Sequence, residues 1–174
     1  QGLDQLTETG AYLFISENQA LENLNGLQSL ERIGGSFLLW LNPKLDNTTA
    51  LTRLRHIEGE LKVIDNAKLR SLVGLDQLDS AETIIISANP ELRDLGTLGS
   101  IGQLAGNLNI NGNSSLRNLA GLRGLTHVEG ELTIHHNSNL EMLSGLEALE
   151  SVGRDLVLLN LEELHSISAL SRLE

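Results

Sequence analysis

Apolar residues return along this chain at a spacing that neither an isolated helix nor an isolated hairpin produces. From Leu13 the order is L-x-I-x-x-N-x-x-L-x-x-L-x-G-L-x-x-L-x-x-I, carried by Leu13, Ile15, Asn18, Leu21, Leu24, Gly26, Leu27, Leu30 and Ile33. The next copy supplies Phe37, Leu39, Asn42, Leu45, Thr48, Leu51, Leu54 and Ile57, and later copies open at Leu61, Ile84, Leu108, Leu132 and Leu156. Gly2, Leu3 and Leu6 read as the tail of an earlier copy. Asn18, Asn42, Asn66, Asn89, Asn113 and Asn137 hold one slot throughout, at steps of 24, 24, 23, 24 and 24 residues. Both prolines, Pro43 and Pro90, directly follow that asparagine, an independent check on the register because proline fits few backbone positions.

Each copy predicts one coil of a solenoid. L-x-I alternates with period two and reads as a short strand with its Leu and Ile inward. The L-x-x-L-x-x-L triplets that follow carry the chain around the coil and return an apolar side chain at every corner. No coil can bury its own leucines, so coils stack and share one long core. The expected fold is a β-solenoid: a right-handed parallel β-helix of about seven coils of 23–24 residues, forming one domain over 1–174 that belongs to a longer protein. At roughly 4.8 Å per strand the stack is about 30 Å long. The recurring asparagine predicts a ladder of side-chain amides that satisfies backbone groups freed by each turn. In the last copy Leu161 takes the ladder slot and Asn160 sits one residue early, so the ladder ends there. Solenoid ends also need covering, and the chain starts inside a coil, so flanking chain or a partner is expected to cap it.

Composition narrows the functional classes. Only four of 174 residues are aromatic, so the core must be built of Leu, Ile, Val and Ala. Net charge is −11 with no basic run, which disfavours nucleic acid and anionic membranes as partners. Absence of cysteine excludes a disulfide framework, a thiolate metal site and a cysteine nucleophile. No run of 18 apolar residues suggests insertion into a membrane, and the chain opens at Gln1 without a signal peptide, as a mature portion would.

Several local motifs are explained by the repeat itself. The glycines Gly99, Gly102 and Gly106 have phosphate-loop spacing, but no Lys-Ser/Thr follows them and the repeat accounts for their place. Asn47-Thr48-Thr49 and Asn113-Ser114-Ser115 match the glycosylation sequon; Asn113 is a ladder residue expected to face inward, which leaves Asn47 as the accessible one.

The segments IEGELKVIDNAKLRSLVGL (57–75) and VEGELTIHHNSNLEMLSGL (128–146) resemble the receptor L domain, the leucine-rich β-helix of insulin and EGF receptors. Three residues, often including glycine, separate Ile33 from Phe37, and two separate Asn42 from Leu45, unlike ordinary leucine-rich repeats. The freedom from cysteine and the even period are closest in style to L-domain-like repeats of bacterial or fungal cell-surface proteins. The resemblance implies extracellular display, on a bacterial surface in particular, and a binding role. It transfers no ligand and no cofactor.

Function must then be sought on the outer face. The residue between the two inward strand positions is, copy by copy, Phe14, Leu38, Lys62, Ile85, Asn109, Thr133 and Val157. Two residues on come Ser16, Trp40, Ile64, Ser87, Asn111, His135 and Leu159; two back come Tyr12, Ser36, Glu60, Thr83, Asn107, Glu131 and Asp155. Tyr12, Phe14, Leu38, Trp40, Ile64 and Ile85 thus form one outward apolar neighbourhood, the candidate surface for a protein or glycan ligand or for a second copy of the chain. Self-association, or service as a structural spacer, is the competing reading. A remoter one is a carbohydrate-active enzyme using Glu131 and Asp155, which occupy equivalent slots in adjacent copies. It lacks an aromatic sugar platform, and the E-G-E motif recurs at Glu58 to Glu60, so copying explains it better. His135 and His136 are set aside as metal ligands, because neighbouring strand residues point to opposite faces and spacing places no third ligand.

Overall fold

The computed structural model describes residues 2–98 and 100–174, so Gln1 and the Gly99 of the glycine run lie outside it. It is a β-solenoid. One seven-stranded, all-parallel sheet is built from Leu13–Ser16, Phe37–Trp40, Glu60–Ile64, Thr83–Ser87, Leu108–Asn111, Leu132–His135 and Leu156–Leu159. Every neighbour in this sheet is the next copy along the sequence, in the register the repeat requires: Leu13 opposite Phe37, Phe37 opposite Leu61, Ile84 opposite Leu108. The chain completes about six turns and an incomplete seventh, one fewer than a count of strands suggests. Coil one begins at Leu13 and coil seven at Leu156.

The inward leucines fill the core to exclusion of water. Leu30, Leu39, Leu61, Ile84, Leu108 and Leu132 are fully buried, and Phe37 is the ring among them. In the outermost coils Leu13, Ile15, Leu156 and Leu158 are only partly covered.

Immediately after each long strand the backbone enters the left-handed region. Glu17, Leu41, Asp65, Ala88, His136 and Asn160 have φ of 60°, 53°, 55°, 55°, 53° and 51°, and Gly112 holds the same slot at 66°. This sharp turn swings the next residue, the ladder asparagine, into the interior. Asn42, Asn66, Asn89, Asn113 and Asn137 are completely buried. The rungs repeat one bonding scheme. Asn66 Nδ2 donates to Leu39 O of the preceding coil at 2.9 Å and to Ile64 O at 3.0 Å. Its Oδ1 accepts from the backbone N–H of Asn42 at 3.1 Å and from Asn42 Nδ2 at 3.3 Å. Each amide therefore fastens its own coil to the one before it. Asn18, with no rung behind it, is exposed.

A second line of pairing was not anticipated. Two-residue strands just before the corner glycines form two three-stranded parallel sheets, Glu8–Thr9, Arg32–Ile33 and His56–Ile57 in one, Gln103–Leu104, His127–Val128 and Ser151–Val152 in the other. They are separated where the repeat is one residue short. Ile57 to Leu61 is four steps, whereas the equivalent Ala81 to Ile84 is three. There the pairing shrinks to a single bridge, His56 to Ser80. Among the described residues no short-strand pairing carries it on to Gln103–Leu104.

Three residues of the polar column before the long strand, Ser36, Thr83 and Asn107, also bond the following coil. Ser36 Oγ accepts from Glu60 N–H at 3.1 Å, Thr83 Oγ1 from Asn107 N–H at 3.0 Å, and Asn107 Oδ1 from Glu131 N–H at 2.8 Å. Thr83 is accordingly buried. At this corner the strand bends and its first N–H turns away from a carbonyl partner, so the neighbouring side chain supplies the acceptor. Corner glycines make room for these side chains: a Cβ on Gly106 would collide with Thr83 Oγ1, and one on Gly130 with Asn107 Oδ1.

Candidate functional site on the outer face of the long sheet

Strand alternation presents two rows of side chains on the outer face. Direct pairing places Phe14 beside Leu38, Leu38 beside Lys62 and Lys62 beside Ile85 in one row; in the other, Ser16, Trp40, Ile64 and Ser87 follow one another. Of the six residues expected to form the patch, Tyr12 and Phe14 are the most exposed, at 65% and 59%. Their rings stack with centroids 5.4 Å apart and planes 27° from parallel. Leu38, Trp40, Ile64 and Ile85 are half-buried, because outward side chains in adjacent coils lean on one another at strand spacing. Trp40 is held in place by its indole N–H, which donates to Asp65 Oδ2 at 3.3 Å.

The patch is apolar but not unbroken. Lys62 lies between Leu38 and Ile85 in the same row, with its ammonium 2.5 Å from Glu60 Oε2. Ile85 therefore joins the patch diagonally, through Ile64 in the neighbouring row. The middle of the face, from Ser87 at the end of coil four across coils five and six, is polar. Asn109 is paired with Thr133, and Asn111 lies between Ser87 and His135. Asn109 Oδ1 is enclosed there with no hydrogen-bond partner among the described residues. Apolar character returns on coil seven with Val157 and Leu159, 36% and 51% exposed.

Glu131 and Asp155 are both exposed, on adjacent coils, and Asp155 O accepts the N–H of Leu132. Asn47 is occupied at its own turn, its Oδ1 accepting from Thr49 N–H at 3.1 Å and from Thr49 Oγ1 at 2.5 Å.

The histidines differ from expectation. The strand of coil six ends at His135, and His136 occupies the left-handed slot at φ 53°. Alternation stops there, and the two rings come together instead of pointing apart: Nδ1 of His135 is 2.7 Å from Nδ1 of His136. On its other side, His136 Nε2 is 2.8 Å from Asn160 Nδ2 on coil seven. Burial, and secondarily the neighbouring charge of His136, push the His135 pKa below the usual 6.5. The signal that would have found this pair is positional: every residue just ahead of a ladder asparagine takes the left-handed conformation.

Among the described residues, no helix is long and apolar enough to cross a membrane. A scan of family models, a search of curated proteins and a search of solved structures each find no match to this chain.

Proposed function

We propose that this chain is a non-catalytic recognition or adhesion module of receptor L-domain type, displayed at a cell surface and binding a protein or glycan partner through the outer face of its long sheet. The observation that carries this reading is the aromatic and aliphatic patch over coils one to four. Phe14 lies against Leu38, Trp40 against Ile64, and Tyr12 stacks on Phe14. Rings held in this way on a stacked sheet lose little freedom on binding, so more of their contact energy is realised as affinity. Aromatic anchors at the centre of an apolar patch are also where binding energy concentrates in interfaces. The net charge of −11 favours a neutral or basic partner over an anionic polymer.

The patch could equally meet a second copy of the chain, and one experiment separates the cases. Sedimentation velocity over a series reaching high micromolar concentration is expected to show a monomer, with binding to intact cells or immobilised glycans lost in Trp40→Ser and Phe14→Ser variants that keep the wild-type circular dichroism. Concentration-dependent dimers abolished by the same substitutions would assign the patch to self-association. Unchanged binding and unchanged association in both variants would remove the patch from either role.

A further inference from the structure

We propose that His135 and His136 form a two-nitrogen chelating site for a divalent transition-metal ion of the copper(II) or nickel(II) kind, with Asn160 as the residue that positions His136. Three features of the geometry lead to it. First, the left-handed turn at His136 (φ 53°) puts consecutive imidazoles on the same side of the chain, with Nδ1 atoms 2.7 Å apart. Two nitrogens that each lie about 2.0–2.1 Å from one ion are ~2.9 Å apart when they subtend a right angle, and ~3.3 Å apart at the tetrahedral angle. The observed separation is closer to the right-angled bite, which belongs to square-planar and tetragonal ions rather than to tetrahedral zinc.

Second, the rings meet edge-to-face, at 73° with centroids 5.0 Å apart, which brings the two Nδ1 atoms together at the contact. Without an ion, one Nδ1 must carry a proton for the other to accept; a shared ion would take the place of that proton. Third, Asn160 faces the far nitrogen of His136 at 2.8 Å. An amide can present either its oxygen or its nitrogen there. With Oδ1 turned toward the ring it accepts Nε2–H, fixes the tautomer and leaves Nδ1 free to ligate, the role outer partners of metal-bound histidines play.

Among the described residues, no cluster of three or more His, Asp or Glu side chains completes a full protein cage. The remaining positions of the ion are therefore left to water or to donor atoms of another molecule.

The test uses the whole chain without a histidine tag, titrated with copper(II) and followed by electron paramagnetic resonance and calorimetry. One equivalent is expected to bind with hyperfine coupling to two equivalent-type nitrogens. His135→Gln and His136→Gln should each weaken binding at least tenfold and reduce the coupling to one nitrogen. His136→Asn serves as a second variant in which the left-handed turn is retained. Asn160→Ala should keep the two-nitrogen signature while weakening binding about tenfold. His56, which pairs with Asp79 at 2.8 Å elsewhere on the molecule, supplies the control: His56→Gln should change nothing. Absence of saturable binding, binding that persists in the folded His135 and His136 variants, or binding abolished by His56→Gln would overturn the proposal.

Discussion

Asn89 shows what a single ladder residue does. Its Nδ2 donates to Val63 O and Ser87 O, and its Oδ1 accepts from the N–H and the Nδ2 of Asn66. Truncation would strand several buried polar groups at once, each costing about 1–3 kcal/mol when left without a partner. Asn89→Ala is expected to lower unfolding stability by about 3 kcal/mol in urea titrations, whereas Asn18→Ala, at the exposed end of the ladder, should cost under ~1 kcal/mol. Equal losses at the two sites would mean the rungs do not act through buried amide pairing. The asparagine slot was legible because its period repeats without interruption. The conformation of the residue ahead of it was not, since Glu, Leu, Asp, Ala, Gly, His and Asn all occupy that slot and share no side-chain property. The histidine pair was set aside for this reason: its geometry comes from a backbone torsion imposed by the repeat, which overrides strand alternation at His136.

At the scale of one coil, the corner between short and long strands couples neighbouring residues that sequence reading treated separately. Thr83 accepts from Asn107 N–H and fills the space above Gly106, which has no side chain to oppose it. Gly106→Ala is expected to destabilise by about 1–3 kcal/mol, the usual cost of overpacking. Adding Thr83→Ser, which removes a methyl but keeps the acceptor, should recover part of that loss; strict additivity in the double-mutant cycle would show that the two residues do not meet.

In six of the seven coils the turns on the far side also fall into two types with readable chemistry. In coils one, three and six a glycine at φ near 110° has its N–H bound by the side chain two residues later, Gln28, Asp76 or Glu147. In coils two, five and seven a 3-10 turn forms instead, its N–H bound by the side chain two residues earlier, Asn47, Asn118 or Ser166. The long strands were legible from L-x-I alternation. The two-residue strands were not, because two residues cannot display a period.

For the whole molecule, stacking rather than a rounded core buries the leucines, yet surface is not wasted. The accessible area of 8322 Å² is close to the roughly 8,300 Å² that mass scaling gives for a compact monomer of 18.9 kDa. Six turns and an incomplete seventh stack in one direction, and the seven-stranded sheet offers one continuous platform. The register placed Phe14, Leu38, Trp40, Ile64 and Ile85 on that platform from sequence alone, because a period-two strand in a known frame leaves no choice of face. Their degree of exposure was not readable, since it depends on how far stacked neighbours shield one another. Nor was the chemistry of a partner, which an apolar patch does not encode.

The one-residue deficit between Ala81 and Ile84 has a mechanical consequence. Along most of the stack three lines of backbone bonding resist separation of neighbouring coils: the long strands, the short strands, and a row of single bonds past the ladder such as Arg70 N–H to Asp46 O at 3.2 Å and Glu141 N–H to Arg117 O at 3.1 Å. Where Ser80–Ala81 approaches Gln103–Leu104, the described residues show the long strands Thr83–Ser87 and Leu108–Asn111 paired and one corner bond from Gly106 N–H to Glu82 O at 2.8 Å, without the short-strand line. Pulled from its two ends in an optical trap, the chain is expected to yield there at an early step, splitting into blocks of three and four coils before either block unravels. Rupture that always begins at an end coil would show that the missing line carries no share of the tensile strength.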